Sequence, residues 1–441
     1  MTLSKGIGCL IVLGLLAGCA ENEVILQGKR LAVRPDTVGF DSPVAEDAVA
    51  ALDTAISLPA PTVNASWTQT AGGPTHRIDH PAFSTTPQLI WSAGIGQGND
   101  RKHRIASDPV IADGRVFTLD SRARVTGTST AGATLWTRDL TPASDNSDDA
   151  SGGGVAYGDG KLFVTTGFGE IAALDPATGT PIWRQDLDAP ATSSPTVLGD
   201  LVYVVSRDNV ATAVDTKNGR IRWQLSGTPS LAGQVGGAGP AVTDQIAIFP
   251  FGSGELVAAL RQGGVRIWGA TVAGQRRGRA YANITDIVAD PVVVDGVIYT
   301  ANQSGRAVAI EAASGTRIWT ANHGAYGPVT VVGGSVYLIS DEAKLVRLDA
   351  ATGAEIWARE LPYYRRERTR KSKAIYAHYG PVLAGGSLWI ASDDSTLKAY
   401  DPVTGAERFR TELPGGAASS VAIAGRTMYV LSDRGQLLAF R

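Results

Sequence analysis

The sequence predicts an all-β fold, a single eight-bladed β-propeller with four-stranded blades, and three observations predict it. The first is an aromatic series, Trp91, Trp136, Trp183, Trp223, Trp268, Trp319, Trp357 and Phe409, recurring roughly every 40 to 50 residues, the length of one blade. The second is a phrase that precedes most of these aromatics: Leu174, Asp175 and Gly179 before Trp183; Val214, Asp215 and Gly219 before Trp223; Leu348, Asp349 and Gly353 before Trp357. Asp and Gly there supply the side-chain cap and positive φ of a tight turn between two strands. The third is composition: 52 glycines, 2 methionines and 19% charged residues in 441 mark many short strands and turns.

Taken in chain order, residues 1–18 hold one basic side chain, Lys5, and an apolar run over 7–16. That run is too short to span a bilayer and reads as a secretion signal. Leu16, Ala17, Gly18 and Cys19 follow as a lipobox, so Cys19 is expected to carry a lipid and to open the mature chain. Ala20 comes next rather than an aspartate, which resembles lipoproteins sorted to the outer membrane. Cys9 leaves with the signal, so no free thiol is expected and disulfide chemistry is excluded. Residues 19–63, rich in Ala, Pro, Asp and Val without strand pattern, read as a tether. The propeller is expected over 64–441, with 64–67 as an added strand or packing segment.

Inside it, a second hairpin stands upstream of each phrase, near Pro109, Gly153, Pro195, Pro240, Pro291, Pro328, Pro381 and Ser420. Proline sits there at the first strand position, where its missing donor does least harm. These eight inner hairpins and the eight aromatics are out of phase. Residues 88–91 form an orphan outer strand, and 420–440 lack one. The N-terminal strand is therefore expected to complete the last blade, leaving no unpaired edge in the ring. Each aromatic of the series is expected to dock on a neighbouring blade.

Chemistry finds little foothold. Forty basic against 42 acidic residues give no field for nucleic acid. His76, His80, His103, His323 and His378 show no metal spacing, since Gly73, Pro74 and Pro81 deny His76 and His80 a helix. Asp175, Asp215 and Asp349 are accounted for by turn capping. Gly94, Gly96 and Gly98 read as a flexible connection, not a nucleotide loop, and no Gly-x-Ser-x-Gly elbow is present. No catalytic residue, cofactor or metal is expected.

What remains is a binding surface. The connections after Trp223, Trp268 and Trp357 are long, and the first two belong to neighbouring blades. The third holds Arg365, Arg366, Arg368, Arg370, Lys371 and Lys373 against Glu367. That loop, 365–373, is either solvated or a contact for an acidic partner or anionic lipid, weakening as salt rises.

The order of lipobox, tether and tryptophan-docked blades resembles the BamB lipoproteins of the outer-membrane β-barrel assembly (BAM) complex. The same repeat occurs in quinoprotein dehydrogenases, which hold pyrroloquinoline quinone and calcium on the propeller axis. Against that alternative, adjacent cysteines and a Cys-x-x-Cys-His haem motif are absent, and eight compact blades leave no room for long insertions. A third alternative is a lipoprotein scaffold of another envelope complex. The BamB resemblance implies a non-catalytic scaffold anchored through lipid on the periplasmic side of the outer membrane. Its implied partners are POTRA domains of the barrel-inserting subunit and, further, unfolded outer-membrane proteins; it aids their insertion. It also implies that two adjacent loops grip the partner. Ser230 and Leu231 match the start of the family's Ser-Leu-x-Leu-Arg stretch, with Gly233 and Gln234 replacing its second leucine and arginine. Asp286 matches the first residue of its Asp-x-Asp stretch, with Val288 at the other. Either the partner has changed to suit, or Arg277 and Arg279 compensate.

Overall fold

The structure is a computed structural model that describes residues 56–191, 193–230, 236–272, 274, 276, 284–366 and 374–441. The expected signal, Cys19 and the tether up to 55 lie outside the described residues. So do Leu231, Gly233, Gln234, Arg277, Arg279 and the stretch 367–373 of the basic loop.

Thirty-two strands among the described residues form eight antiparallel sheets of four, arranged as propeller blades. Blade 3 shows the plan: Thr196–Leu198, Leu201–Val205, Val210–Asp215 and Ile221–Ser226 pair in that order from axis to rim. Blades 1 to 7 are each continuous in sequence. Blade 8 consists of Ala422–Ala424, Thr427–Leu431 and Gln436–Phe440, and Leu89–Gly94 supplies its rim strand. Trp91 pairs with Ala439 and Gly94 with Gln436, so the ring closes as the phase of the repeat requires.

Middle strands such as Leu201–Val205 are continuous apolar runs, buried throughout, because a neighbouring blade covers each face. Rim strands alternate, as Pro181–Asp186 does, with one side on the blade and one in water. The core therefore lies between blades; Tyr203, Phe249 and Val257 fill one such layer.

A bulge stands just before each docking aromatic. In blade 3 Ala213 pairs with Trp223 and Val214 with Ile221, leaving Arg222 as the extra residue. The bulge sharpens the local twist and aims the indole at the next blade. There it lies on a turn glycine and, except at Trp91, bonds a turn carbonyl. Trp183 Nε1 donates to Thr216 O at 3.0 Å, and a Cβ on Gly219 would stand 2.7 Å from the ring. Trp136 meets Gly179, Trp223 Gly264, Trp268 Gly315, Trp319 Gly353 and Trp357 Gly405 in the same way. Trp91 lies on Gly132, and Phe409 packs on Trp389 of its own blade. The turn aspartates cap their own turns: Asp175 Oδ1 accepts from the amides of Ala177 (2.8 Å) and Thr178 (2.9 Å). Those bonds hold its carboxyl below the usual range.

One segment does not follow the repeat. Residues 56–87, ahead of the ring, cross the face formed by the turns between first and second strands, and they touch all eight blades. Ile56 lies on Gly333 of blade 6, and Asn64 Nδ2 donates to Ile423 O of blade 8 at 2.6 Å. Trp67 exchanges two 2.8 Å backbone bonds with Ile111 of blade 1. The amide of Tyr157 in blade 2 donates to Thr68 O, and Gln69 exchanges two 2.8 Å bonds with the backbone of Val197 in blade 3. Pro74 and Thr75 accept from Val242 of blade 4 and Val293 of blade 5, and Pro81 accepts from Gly385 of blade 7. Among the described residues packing is already present at Ile56, and residues 64–67 form one part of a long belt.

The histidines of this belt are structural. His76 is buried against Pro291 O at 3.0 Å, and burial lowers its pKa to about 4. His80 accepts from the Gly386 amide at Nε2 (2.8 Å), so its Nδ1–H donates to Pro59 O. Among the described residues no group of His, Cys, Asp or Glu could hold a metal ion.

Candidate functional site

The face opposite the belt carries the turns between second and third strands and the blade-to-blade connections. Two of the long connections, after Trp223 and after Trp268, are joined here by Asn209. Its side chain ties the first connection to the blade 4 turn: Nδ2 donates to Thr228 O at 2.8 Å, and Oδ1 accepts from the Gly252 amide at 2.9 Å. Gly252 O in turn accepts from Thr285 Oγ1 at 3.0 Å. Asn209 is 3% exposed and has φ +62°, a conformation asparagine tolerates better than other side-chain-bearing residues. Sequence reasoning missed it, since an asparagine in a turn looks like any turn residue.

The expected contact residues take different places around this tie. Ser230 is half-buried, two residues beyond Thr228. Asp286 is buried, its carboxylate against Gly252, so it shapes the loop from within. Val288 is buried and lines the axial cavity. The structure thus brings the 228–230 and 284–288 stretches together through blade 3 and blade 4 turns.

Both long basic connections are pinned by their first arginine. Arg276 clamps Asp341 of blade 6 with two bonds, Nε to Oδ2 at 2.6 Å and Nη2 to Oδ1 at 2.8 Å, while Asp341 also accepts from the Gly324 amide. Arg365 pairs with Asp393 of blade 7 and lies over the Tyr376 ring at 5.6 Å. Arg365 therefore anchors its loop.

If Asn209 joins the two connections, removing its amide should loosen both at once. Asn209→Ala leaves Thr228 O and the Gly252 amide without it and puts alanine at positive φ, an expected cost of about 2 to 4 kcal/mol. Hydrogen exchange should accelerate at 228–230 and 284–287 together; acceleration in one stretch alone would show that they are independent.

Between these loops a cavity of about 520 Å³ runs down the axis to Thr70 of the belt. Five aspartates line it (Asp108, Asp290, Asp341, Asp393 and Asp433) with two arginines, Arg104 and Arg365, and the tyrosines Tyr326, Tyr363, Tyr376 and Tyr379. Asp108 and Asp290 precede the first strands of blades 1 and 5, opposite each other in a ring of eight. Each accepts one backbone bond, from Ser420 N at 2.8 Å and from Gly239 N at 2.5 Å. Burial pushes both up to about 7, and the charge of Asp290 adds to the shift on Asp108. The sequence does carry a signal for them. Asp108-Pro109 and Asp290-Pro291 stand where other blades have Ser194-Pro195, Gly239-Pro240 and Gly327-Pro328.

Residues 121–359 and 367–441 match the family model described as outer membrane protein assembly factor BamB. BamB of Yersinia pestis is 26% identical over 247 residues, 54% of this chain and 62% of that protein. BamB of Moranella endobia is likewise 26% identical, over 54% of this chain and 63% of the relative. These matches span a little under two thirds of the relatives' lengths. The crystal structure of BamB from Moraxella catarrhalis superposes with a TM-score of 0.68 at 18% identity, covering 81% of this chain and all of that one. Quinohemoprotein alcohol dehydrogenase from Comamonas testosteroni superposes with a TM-score of 0.65 at 14% identity, covering 85% and 80%. Both likenesses speak for the propeller, and the family model, which takes in well over half the sequence, decides between them: the chain belongs to the BamB family of outer-membrane protein assembly factors.

Proposed function

We propose that this protein is a non-catalytic scaffold of the BAM complex, anchored through Cys19 on the periplasmic side of the outer membrane. Its loop face docks on POTRA domains of the barrel-inserting subunit and so aids insertion of outer-membrane proteins. The observation that carries this reading is the chain of bonds from Thr228 through Asn209 and Gly252 to Thr285, which links the two loops that align with the family's contact stretches. Preorganisation matters because loop ordering is a cost that a docking surface otherwise bears at binding, about 0.5 to 1.5 kcal/mol per immobilised side chain. Exposed Tyr326, Tyr364 and Ile375 add apolar anchors on the same face, of the kind enriched at interfaces.

The likeness to an alcohol dehydrogenase raises a second reading, a quinoprotein. Pyrroloquinoline quinone is a tricarboxylate, and the axial cavity offers it five aspartates against two arginines. That lining does not fit it.

Photo-crosslinking in cells tests the docking. Probes at the exposed Pro229 and Tyr364 are expected to trap the barrel-inserting subunit, while a probe at Thr180, exposed in a turn on the belt face, traps nothing. Equal trapping from Thr180, or an unrelated envelope protein trapped from the loop face, would reassign the function.

A further inference from the structure

We infer that His103 is a proton-operated latch on the loop face: while its imidazole is charged it holds the connection between blades 1 and 2 against the neighbouring connection, and loss of the proton lets that connection go. The latch lies in a different sector from Asn209 and works the same way whatever docks on the face.

Two connections meet at this residue. Residues 95–109 lead from the rim strand of blade 8 into blade 1, and residues 140–152 lead from blade 1 into blade 2. The first is a fixed base. Asp100 Oδ1 accepts from the amides of Lys102 (2.6 Å) and His103 (2.8 Å), Asn99 Oδ1 accepts from the Ile105 amide at 2.6 Å, and Asn99 Nδ2 donates to Asp433 of blade 8 at 2.6 Å. The second connection is fastened near its ends. The Leu140 amide donates to Ala123 O at 3.0 Å, and Ser151 Oγ accepts from the Arg104 amide at 2.9 Å. In the middle, where Asp145, Asp148 and Asp149 are exposed, it is held by His103 and Arg122.

His103 is buried between the two. Its Nδ1 stands 3.0 Å from Asp100 Oδ2 and its Nε2 stands 3.0 Å from Asp148 O. A carbonyl has no proton to give. Nor does Asp100, because the amides of His103 and Lys102 hold its carboxyl well below the usual carboxylate range. Both ring nitrogens must therefore donate, which imidazolium alone can do. His80 and His378 show the contrast. Each faces an acceptor on one nitrogen and a donor on the other, the Gly386 amide or the Ser392 hydroxyl, a setting that a neutral ring satisfies. The charged groups around His103 are Asp100 on its own connection, Arg122 from the blade 1 turn and Asp148 from the next connection, whose carboxylate pairs with Arg122. The Asp148 carbonyl first and the Asp100 carboxylate second raise its pKa, against burial and the charge of Arg122.

A neutral ring keeps one N–H. The carboxylate is the stronger acceptor and retains it at Nδ1, so Nε2 turns a lone pair toward Asp148 O and attraction becomes repulsion. Arg122 still reaches Asp148, but their side chains are 28% and 63% exposed, and ion pairs so open to water hold a segment weakly. The sign follows from the raised pKa: closure is fully favoured below about pH 6.5 and is lost as the pH rises through the folded value. Each pKa unit between closed and open connection is a tenfold difference in closure. Opening moves three carboxylates on the loop face.

The test uses the full chain. Proton–nitrogen spectra of the histidine side chains should show His103, assigned by its loss in His103→Gln, protonated on both nitrogens at about pH 6 and titrating above the ordinary value of about 6.5. The amides of Asp145, Asn146 and Asp149 are bonded within the connection and report its order. Their hydrogen-exchange protection, corrected for the intrinsic rate, should fall at least about threefold between about pH 6 and about pH 9, while strand Leu201–Val205 keeps its own. In His103→Gln protection should be low at both pH values. Asp100→Asn should lower the pKa of His103 and carry the loss of protection to lower pH with it. A His103 that titrates at or below the ordinary value, or protection that does not change with pH, would overturn the latch. So would a change that survives in His103→Gln, which would belong to Asp108, whose pKa of about 7 lies in the same range. The crosslinks from Pro229 and Tyr364 test docking separately.

Discussion

Gly353→Val is expected to destabilise the propeller by about 4 kcal/mol or more, as much as deleting the indole that rests on it. At φ +74° a β-branched residue is strained by roughly 1 to 2 kcal/mol. The larger effect is steric, because even a Cβ would lie 2.6 Å from Trp319 Cε3, forcing the indole off its seat and breaking its 2.9 Å bond to Ala350 O. Trp319→Ala removes the same contact from the other side, at an expected cost of about 3 to 5 kcal/mol. The two residues touch, so the double variant should cost clearly less than the sum. Urea denaturation of the four proteins gives the cycle. Strict additivity, or a Gly353→Val within about 1 kcal/mol of the parent, would mean that the indole does not lock blade 5 to blade 6.

Arg276→Ala is the second large effect. It leaves Asp341, whose side chain is fully buried, without its guanidinium partner, and removing one member of a buried pair costs about 3 to 5 kcal/mol. Asp341→Asn in the Arg276→Ala background should recover part of that loss, since an uncharged amide tolerates burial better. Binding should not recover with it. The connection after Trp268 would still lack its anchor, so photo-crosslinks at the loop face should remain weak while stability returns. Recovery of both together would place Arg276 in the fold alone.

Much of the ring was legible because the tryptophans answer to a repeated physical demand. Each needs a bulge before it and a glycine turn in the next blade, so the period shows through divergent residues. The phase mismatch at Trp91 foretold the closing strand for the same reason. The belt left no such trace. Its contacts go to the first hairpins of the blades, a few in each, so neither a period of two nor one of 3.6 appears in residues 56–87. Gly94, Gly96 and Gly98 looked flexible, yet Gly96 lies against Asp120 and Gly98 against Asp433 O, where no side chain would fit. Phe409 breaks the series where blade 8 has no covalent rim turn: Gln88 and Arg441 pair there instead. Of the site, the loops were legible by length. Asn209, Arg276 and the axial aspartates were not singled out, because each gains its role from a neighbour far along the chain.

The belt also acts as an inspector of assembly. Asn64 finds its partner 359 residues away and His80 finds its own 306 away, so the segment synthesised before the ring is seated after it. A propeller with one blade missing or misregistered would present too few partners, leaving apolar side chains such as Trp67, Ile78 and Phe83 without their cover. A fully seated belt therefore requires all eight blades to be in place.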